Sequence, residues 1–243
     1  MIPEHHSFVE PFFGSGAVLF NKPISRIETI NDLDSNVTNL FSCIQEDAEQ
    51  LARIVATTPY SREIYENQCE FPDSDDPYWK AAGFLIRCWQ GFGSRTNGAK
   101  VGWKLDVQGR ERAYALCNWY RLPGWIISAA ERLRMVQIEN RPALEVIKRF
   151  NYPNVFQYWD PPYVLRTRSG KQYKYEMSDA EHESLLESAL ESQAKIMISG
   201  YESELYEKYL KDWKKMKFKS HAQGGNLREE VIWMNYDPRT ENR

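Results

Sequence analysis

Asp160, Pro161, Pro162 and Tyr163 stand in one run, directly after the apolar stretch Val155-Phe156-Gln157-Tyr158-Trp159. A residue ahead of proline is pushed out of the helical region, so Asp160 and Pro161 are both held extended and the preceding strand must stop. Neither proline carries an N–H to pair with its surroundings. The Asp160 carboxylate and the Pro161 carbonyl are thereby presented side by side at the carboxyl end of a strand, where open α/β sheets bind ligands. A planar exocyclic amino group has two hydrogens to give to two such acceptors. Accepting both in a tetrahedral arrangement localises the nitrogen lone pair and aims it at an electrophile, an interaction that strengthens toward the transition state. Tyr163 adds a flat face on which an extruded base could stack. Taken alone, the same four residues also suit a structural turn.

Two further groups could hold a nucleotide-like ligand. Phe12, Gly14 and Gly16 sit at alternate positions between the apolar run Ser7-Phe8-Val9 and a helix start at Ala17-Val18-Leu19-Phe20. Glycines there permit a tight turn and close approach of a ligand to the backbone. Without the third glycine of a dinucleotide fingerprint, the turn does not specify a pyrophosphate. Asp32 follows the next apolar run, where a carboxylate can accept both hydroxyls of a ribose. Its alternative use is as a helix N-cap, common for Asp-x-Asp at a strand-helix junction.

The elements that must position these groups follow from hydrophobic period and turn residues. Strands are predicted over 7–9, 26–30, 135–138, 155–159, 195–199 and 231–234. Helices are predicted where Val37, Leu40, Phe41 and Ile44 recur, over 125–133, over 142–150 with Pro142 in its first turn, after the Ser178/Glu181 capping pair, and over 202–212. Alternating strands and helices predict an α/β fold, a sheet wound with helices. Periodicity weakens over 60–115, which reads as an inserted subdomain between catalytic-domain pieces 1–59 and 116–243.

With 42% hydrophobic and 14% aromatic residues, the 243-residue chain has core material for a large domain, which excludes a disordered or fibrous reading. Its apolar runs are too short to cross a bilayer, and no charged segment followed by an apolar one opens the chain, so no membrane partner is expected and the expected location is the cytoplasm. Cys43, Cys69, Cys88 and Cys117 lack metal-site spacing and read as buried thiols, with no metal expected. The net charge of −3 hides an uneven distribution: residues 87–121, 166–174 and 208–219 carry +5, +4 and +5, which leaves −17 for the remainder. The third segment, a Lys-rich helix end running into a strand, reads as a solvated face. In the first two, glycine, asparagine and aromatic residues interleave the cations, a mixture suited to nucleic-acid contact.

Together these blocks resemble the Dam-like, DPPY-motif family of N6-adenine-specific DNA methyltransferases. The resemblance rests on Phe8-Val9-Glu10-Pro11-Phe12-Phe13-Gly14-Ser15-Gly16-Ala17-Val18-Leu19-Phe20, Asn31-Asp32-Leu33-Asp34, Thr58-Pro59-Tyr60-Ser61-Arg62, Asp160-Pro161-Pro162-Tyr163, Ile198-Ser199-Gly200-Tyr201 and Glu230-Val231-Ile232-Trp233. It implies a Rossmann-like methyltransferase sheet with helices on both faces and a small inserted target-recognition subdomain. The implied cofactor is S-adenosyl-L-methionine, held by Glu10, Pro11, Phe12, Phe13, Gly14, Ser15, Gly16, Asp32, Leu33 and Asp160, with Glu139 and Asn140 at the adenine. The implied catalytic residues are Asp160, Pro161, Pro162 and Tyr163. The implied partner is double-stranded DNA, contacted by Arg95, Asn97, Lys100, Arg166, Arg168, Lys171 and Lys174. A monomer is expected, with a cognate restriction nuclease as a candidate partner.

The family normally has a Lys-, Trp- and Gly-rich segment ahead of the Phe-x-Gly-x-Gly turn, and Met1-Ile2-Pro3-Glu4-His5-His6 does not match it. This predicts a cofactor pocket open at one end, with a start further upstream as the expected reason. A non-catalytic or cofactor-impaired DNA-binding protein, and methylation of cytosine N4 or an RNA base, are the alternatives that remain open.

Overall fold

The computed structural model describes residues 1–92, 101–105, 114–168, 170, 173–221 and 227–239. In chain order its elements are β1 (Ser7–Glu10), α1 (Ala17–Asn21), β2 (Ile27–Asn31), α2 (Ser35–Thr57), α3 (Arg62–Glu70), α4 (Pro77–Gln90), α5 (Tyr114–Leu133), β3 (Val136–Glu139), α6 (Ala143–Arg149), β4 (Val155–Trp159), α7 (Asp179–Leu190), β5 (Lys195–Gly200), α8 (Glu204–Tyr209), β6 (Lys214–His221) and β7 (Leu227–Met234). They divide into two compact units: Met1–Leu33 with Val136–Lys171 and Tyr175–Arg243, and Asp34–Met135 with Gln172–Lys174.

The first unit is a seven-stranded sheet in the order β3-β2-β1-β4-β5-β7-β6. Strands β1 to β5 run parallel and β7 lies antiparallel to both β5 and β6. β1, β4 and β5 carry apolar residues on both faces and are almost fully buried, as strands in the middle of a parallel sheet must be. On one face, Trp159, Ile196, Ile198, Val231 and Trp233 pack with Ile147 of α6, Leu185, Leu186 and Ala189 of α7, and Leu205 and Tyr206 of α8. Phe8 and Phe156 are each offset by one residue from that face and meet each other instead, ring centroids 5.7 Å apart. The chain leaves β1 toward β2 on one side and returns to β4 on the other. The carboxyl ends of β1 and β4 therefore flank the point where the strand order reverses, the place where open α/β sheets leave a crevice.

Ser178 caps α7 through a full capping box with Glu181. The Lys-rich tail runs from a helix end into a strand, as the sequence suggests. α8 ends at Tyr209, short of residue 212, and the lysines from Lys214 onward form the edge strand β6. Lys215 and Lys217 both pair with Glu202 there, Lys215 also with Glu207 and Lys217 also with Glu229, so the cations blunt an exposed sheet edge.

In the second unit, α2 packs against α4 and α5. α3 and α4 occupy the first part of the weakly periodic stretch. The local signals for α4 are present: the Asp76 carboxylate accepts from the Tyr78 and Trp79 N–H groups, Pro77 stands in the first turn, and Tyr78, Ala81, Ala82 and Leu85 recur on its buried side. α5 starts at Tyr114, well before residue 125, and runs through Pro123; Trp119, Leu122, Ile126 and Leu133 form its buried face. The Tyr65 hydroxyl donates to the Val101 carbonyl (2.7 Å) and that of Tyr60 to the Lys104 carbonyl (2.8 Å), tying residues 101–105 to the region of α3. Among the described residues no helix is long and apolar enough to cross a membrane. The four cysteines are free thiols, and only Cys43 is fully buried; the other three are half-buried, a correction to the expectation of four buried thiols. Burial pushes the Cys43 thiol up to about 11.

Candidate active site

β4 delivers Asp160 one residue beyond its last paired position, and the two prolines carry the chain away as extended backbone. Asp160 is an exposed residue whose carboxyl is crowded by neighbouring protein groups. The Ser199 hydroxyl at the end of β5 donates to Oδ1 at 2.7 Å. Burial raises the Asp160 carboxyl above the ordinary range, hydrogen bonds from Ser199 and Tyr163 hold it down, and the Glu230 carboxylate adds to the rise. The Tyr163 ring is half-buried and meets Tyr201 edge to face, with centroids 4.7 Å apart.

Glu10 ends β1, the strand beside β4. Its side chain is 2% exposed and accepts the Leu19 N–H at 3.2 Å. Burial pushes its carboxyl up to about 8, and the nearby Asp160 contributes to the rise. Pro11 and Phe13 are buried, Phe12 is half-buried, and Gly14 and Ser15 form the exposed crest of the turn. Gly14 and Gly16 have φ of 50° and 70°, in the left-handed region that glycine enters without strain. Around Gly14 a Cβ would meet open space, whereas at Gly16 it would collide with the Phe13 and Phe20 rings. Gly16→Ala is therefore expected to lower stability by about 2–4 kcal/mol, and Gly14→Ala by about 1 kcal/mol. Urea unfolding of the two variants measures the difference, and equal losses would show that the aromatic contacts contribute nothing.

Asp32 accepts the Gly14 N–H at 2.9 Å through Oδ2, so the end of β2 closes the glycine turn. The N-cap of α2 is Asp34, which accepts the Asn36 N–H at 3.0 Å; the helix-cap alternative for Asp32 does not apply. Asn31, buried at 1% exposure, was not singled out from the sequence, yet it joins three strand ends. Its Nδ2 donates to the Pro11 carbonyl (2.8 Å) and the Arg141 carbonyl (3.0 Å), and its Oδ1 accepts the Arg141 N–H (2.9 Å). Asn140 donates to the carbonyls of Asp32 (2.6 Å) and Leu33 (3.2 Å), and Leu33 is exposed. Glu139 pairs with Arg149 at 2.9 Å. The structure thus gathers the predicted residues of the β1, β2, β3 and β4 ends at one edge of one sheet.

The predicted DNA-contacting cations fare differently. Arg166 is exposed, with its guanidinium 3.8 Å from Asp179. Arg168 turns inward: its side chain is 2% exposed, it pairs with Glu176, and its Nε donates to the Tyr163 carbonyl at 2.7 Å. It clasps the loop after Tyr163 and does not face outward as a phosphate contact must. Lys174 is exposed and lies 3.4 Å from Asp34 in the second unit. Arg95, Asn97, Lys100 and Lys171 lie outside the described residues. No group of three or more side chains suited to a metal ion occurs among the described residues.

Residues 1–97 and 106–223 match the D12 class N6 adenine-specific DNA methyltransferase family. Over 89 residues, 35% of this chain, the sequence is 32% identical to the DNA adenine methylase of Escherichia coli (strain K12), and equally to that of Escherichia coli O157:H7. The matching stretch spans 32% of the length of each of these relatives. The family match covers the glycine turn, the Asp32 strand end and the Asp160 to Tyr163 run alike, and the chain belongs to the D12 class N6 adenine-specific DNA methyltransferase family.

Proposed function

We propose that this chain is a site-specific DNA methyltransferase that moves a methyl group from S-adenosyl-L-methionine to N6 of an adenine flipped out of the duplex. The observation that carries it is the Asp160 carboxyl at the end of β4, beside the exposed glycine turn of β1 and at the point where the strand order reverses. The cofactor fits this edge. The Gly14 crest has room around it, and the ends of β2 and β3 supply Asp32, Leu33, Glu139 and Asn140, with Glu10 to Gly16 completing the holding set. The bound cofactor supplies an electrophilic methyl group on a positively charged sulfur.

The chain's own residues act on the base. Asp160 accepts one amino hydrogen and the Pro161 carbonyl the other, which localises the nitrogen lone pair toward the methyl group. Pro162 keeps this backbone extended, and Tyr163 stacks on the base. Arg166, Lys171 and Lys174 grip phosphate, while Arg95, Asn97 and Lys100, in the 60–115 recognition segment, contact base edges or backbone. Arg168 contributes by holding the loop in shape.

The test is incubation of the chain with unmethylated duplex DNA and methyl-labelled S-adenosyl-L-methionine, followed by digestion to nucleosides. Label is expected in N6-methyl-2′-deoxyadenosine. Label in N4-methylcytosine, or none in the DNA, would overturn the assignment.

A further inference from the structure

Ser199 lies at the end of β5, beside β4, and is 5% exposed. Its hydroxyl stands 2.7 Å from Asp160 Oδ1 and 3.2 Å from the Trp159 carbonyl. A hydroxyl has one hydrogen to give, and the shorter contact to the more basic partner takes it. The Tyr158 hydroxyl in turn donates to Ser199 Oγ at 3.0 Å, which leaves the Ser199 hydrogen directed at Asp160. Burial keeps the Tyr158 phenol protonated well above neutral pH, so this donor is always present.

We infer that Ser199, locked by Tyr158, is a positioning residue that fixes the plane of the Asp160 carboxylate toward the target amino group, a role that rests on Asp160 acting as the acceptor proposed above. The torsion that turns a carboxylate about its stem is broad, and a group partly open to solvent would otherwise sample many orientations. Two hydrogens of an amino group can be met together only from a defined direction, so an orienting bond acts on the transition state more than on substrate binding. Other groups surround this carboxyl. Tyr163 also donates to it, and Glu10 on β1, Glu230 on β7 and Tyr206 on α8 lie close enough to couple to it. The Ser199 hydroxyl is itself held by a second donor, Tyr158 of β4.

Ser199→Ala and Tyr158→Phe in the whole chain test this. Ser199→Ala should lower kcat about tenfold and Tyr158→Phe about threefold, with KM for DNA and cofactor unchanged. An independent readout needs neither cofactor nor DNA: the carbon-13 carboxyl resonance of Asp160, identified by its loss in Asp160→Asn, is titrated in each protein. Its midpoint should rise by about one pH unit in Ser199→Ala, because a donor that favours the charged form is gone, and the acid limb of the rate profile should move with it. A wild-type kcat in Ser199→Ala overturns the positioning role whatever the midpoint does. Absence of methyl transfer by the wild-type protein would overturn the proposed function itself, while the Asp160 midpoint would still report whether Ser199 bonds it.

Discussion

Asp160→Ala is expected to lower methyl transfer to duplex DNA by at least about a thousandfold while leaving the fold intact. A preorganised group aimed at charge developing in the transition state is commonly worth about a hundred- to a thousandfold, and here it also orients the nucleophile. The fold should tolerate the change. Asp160 closes no interstrand ladder, and burial already disfavours its charge, so its removal relieves an electrostatic cost. Ser199 loses its best acceptor but keeps the Trp159 carbonyl at 3.2 Å, and Tyr163, which also loses Asp160, is only half-buried. Single-turnover transfer of labelled methyl, with thermal melting as the control, measures both halves. Activity within tenfold of wild type in a folded variant would remove Asp160 from the chemistry.

Glu10 carries the second large effect, on stability as a function of pH. Its carboxyl rises from 4.5 in the unfolded chain to about 8 in the folded protein, chiefly through burial, with the Leu19 N–H pulling the other way. A carboxyl raised on folding binds its proton more tightly in the native state. Its contribution is complete below the unfolded value near 4.5 and is lost as pH climbs through about 8. Across that window the wild-type protein should lose about 3–5 kcal/mol that Glu10→Gln does not lose. Glutamine keeps the shape and an acceptor for Leu19 without a titrating proton, so the variant should be the more stable protein at and above pH 8. Urea unfolding at intervals from pH 5 to 9 gives the two curves. Asp160 is raised too and repels Glu10, so the difference between the two curves includes the mutual repulsion of the two carboxyls. Parallel curves would mean that Glu10 titrates normally and reaches water.

Much of this could be read along the chain because it is decided by neighbours a few residues apart. Two prolines after Asp160 end β4 whatever surrounds them. The glycines set the turn after β1, and Ser178 with Glu181 starts α7. Apolar runs locate β1, β2, β3, β4 and β5 to within a residue or so, since a buried parallel sheet requires them. The lysines of β6 suit an edge strand, which is satisfied by cations on its open side.

Tertiary structure alone decided which side chains meet. Asn31 bonds Arg141 across 110 residues and Ser199 bonds Asp160 across 39, distances over which no local rule operates. The same holds for charge: Arg168 and Arg166 look equivalent in sequence, yet Glu176 and the Tyr163 carbonyl draw Arg168 inward and leave Arg166 at the surface. The chain by itself determined the residue types at the strand ends and the backbone shapes that expose them. Strand order and register decided that those ends share one edge of the sheet, because pairing between distant strands is set by the packing of the whole core and not by any short segment.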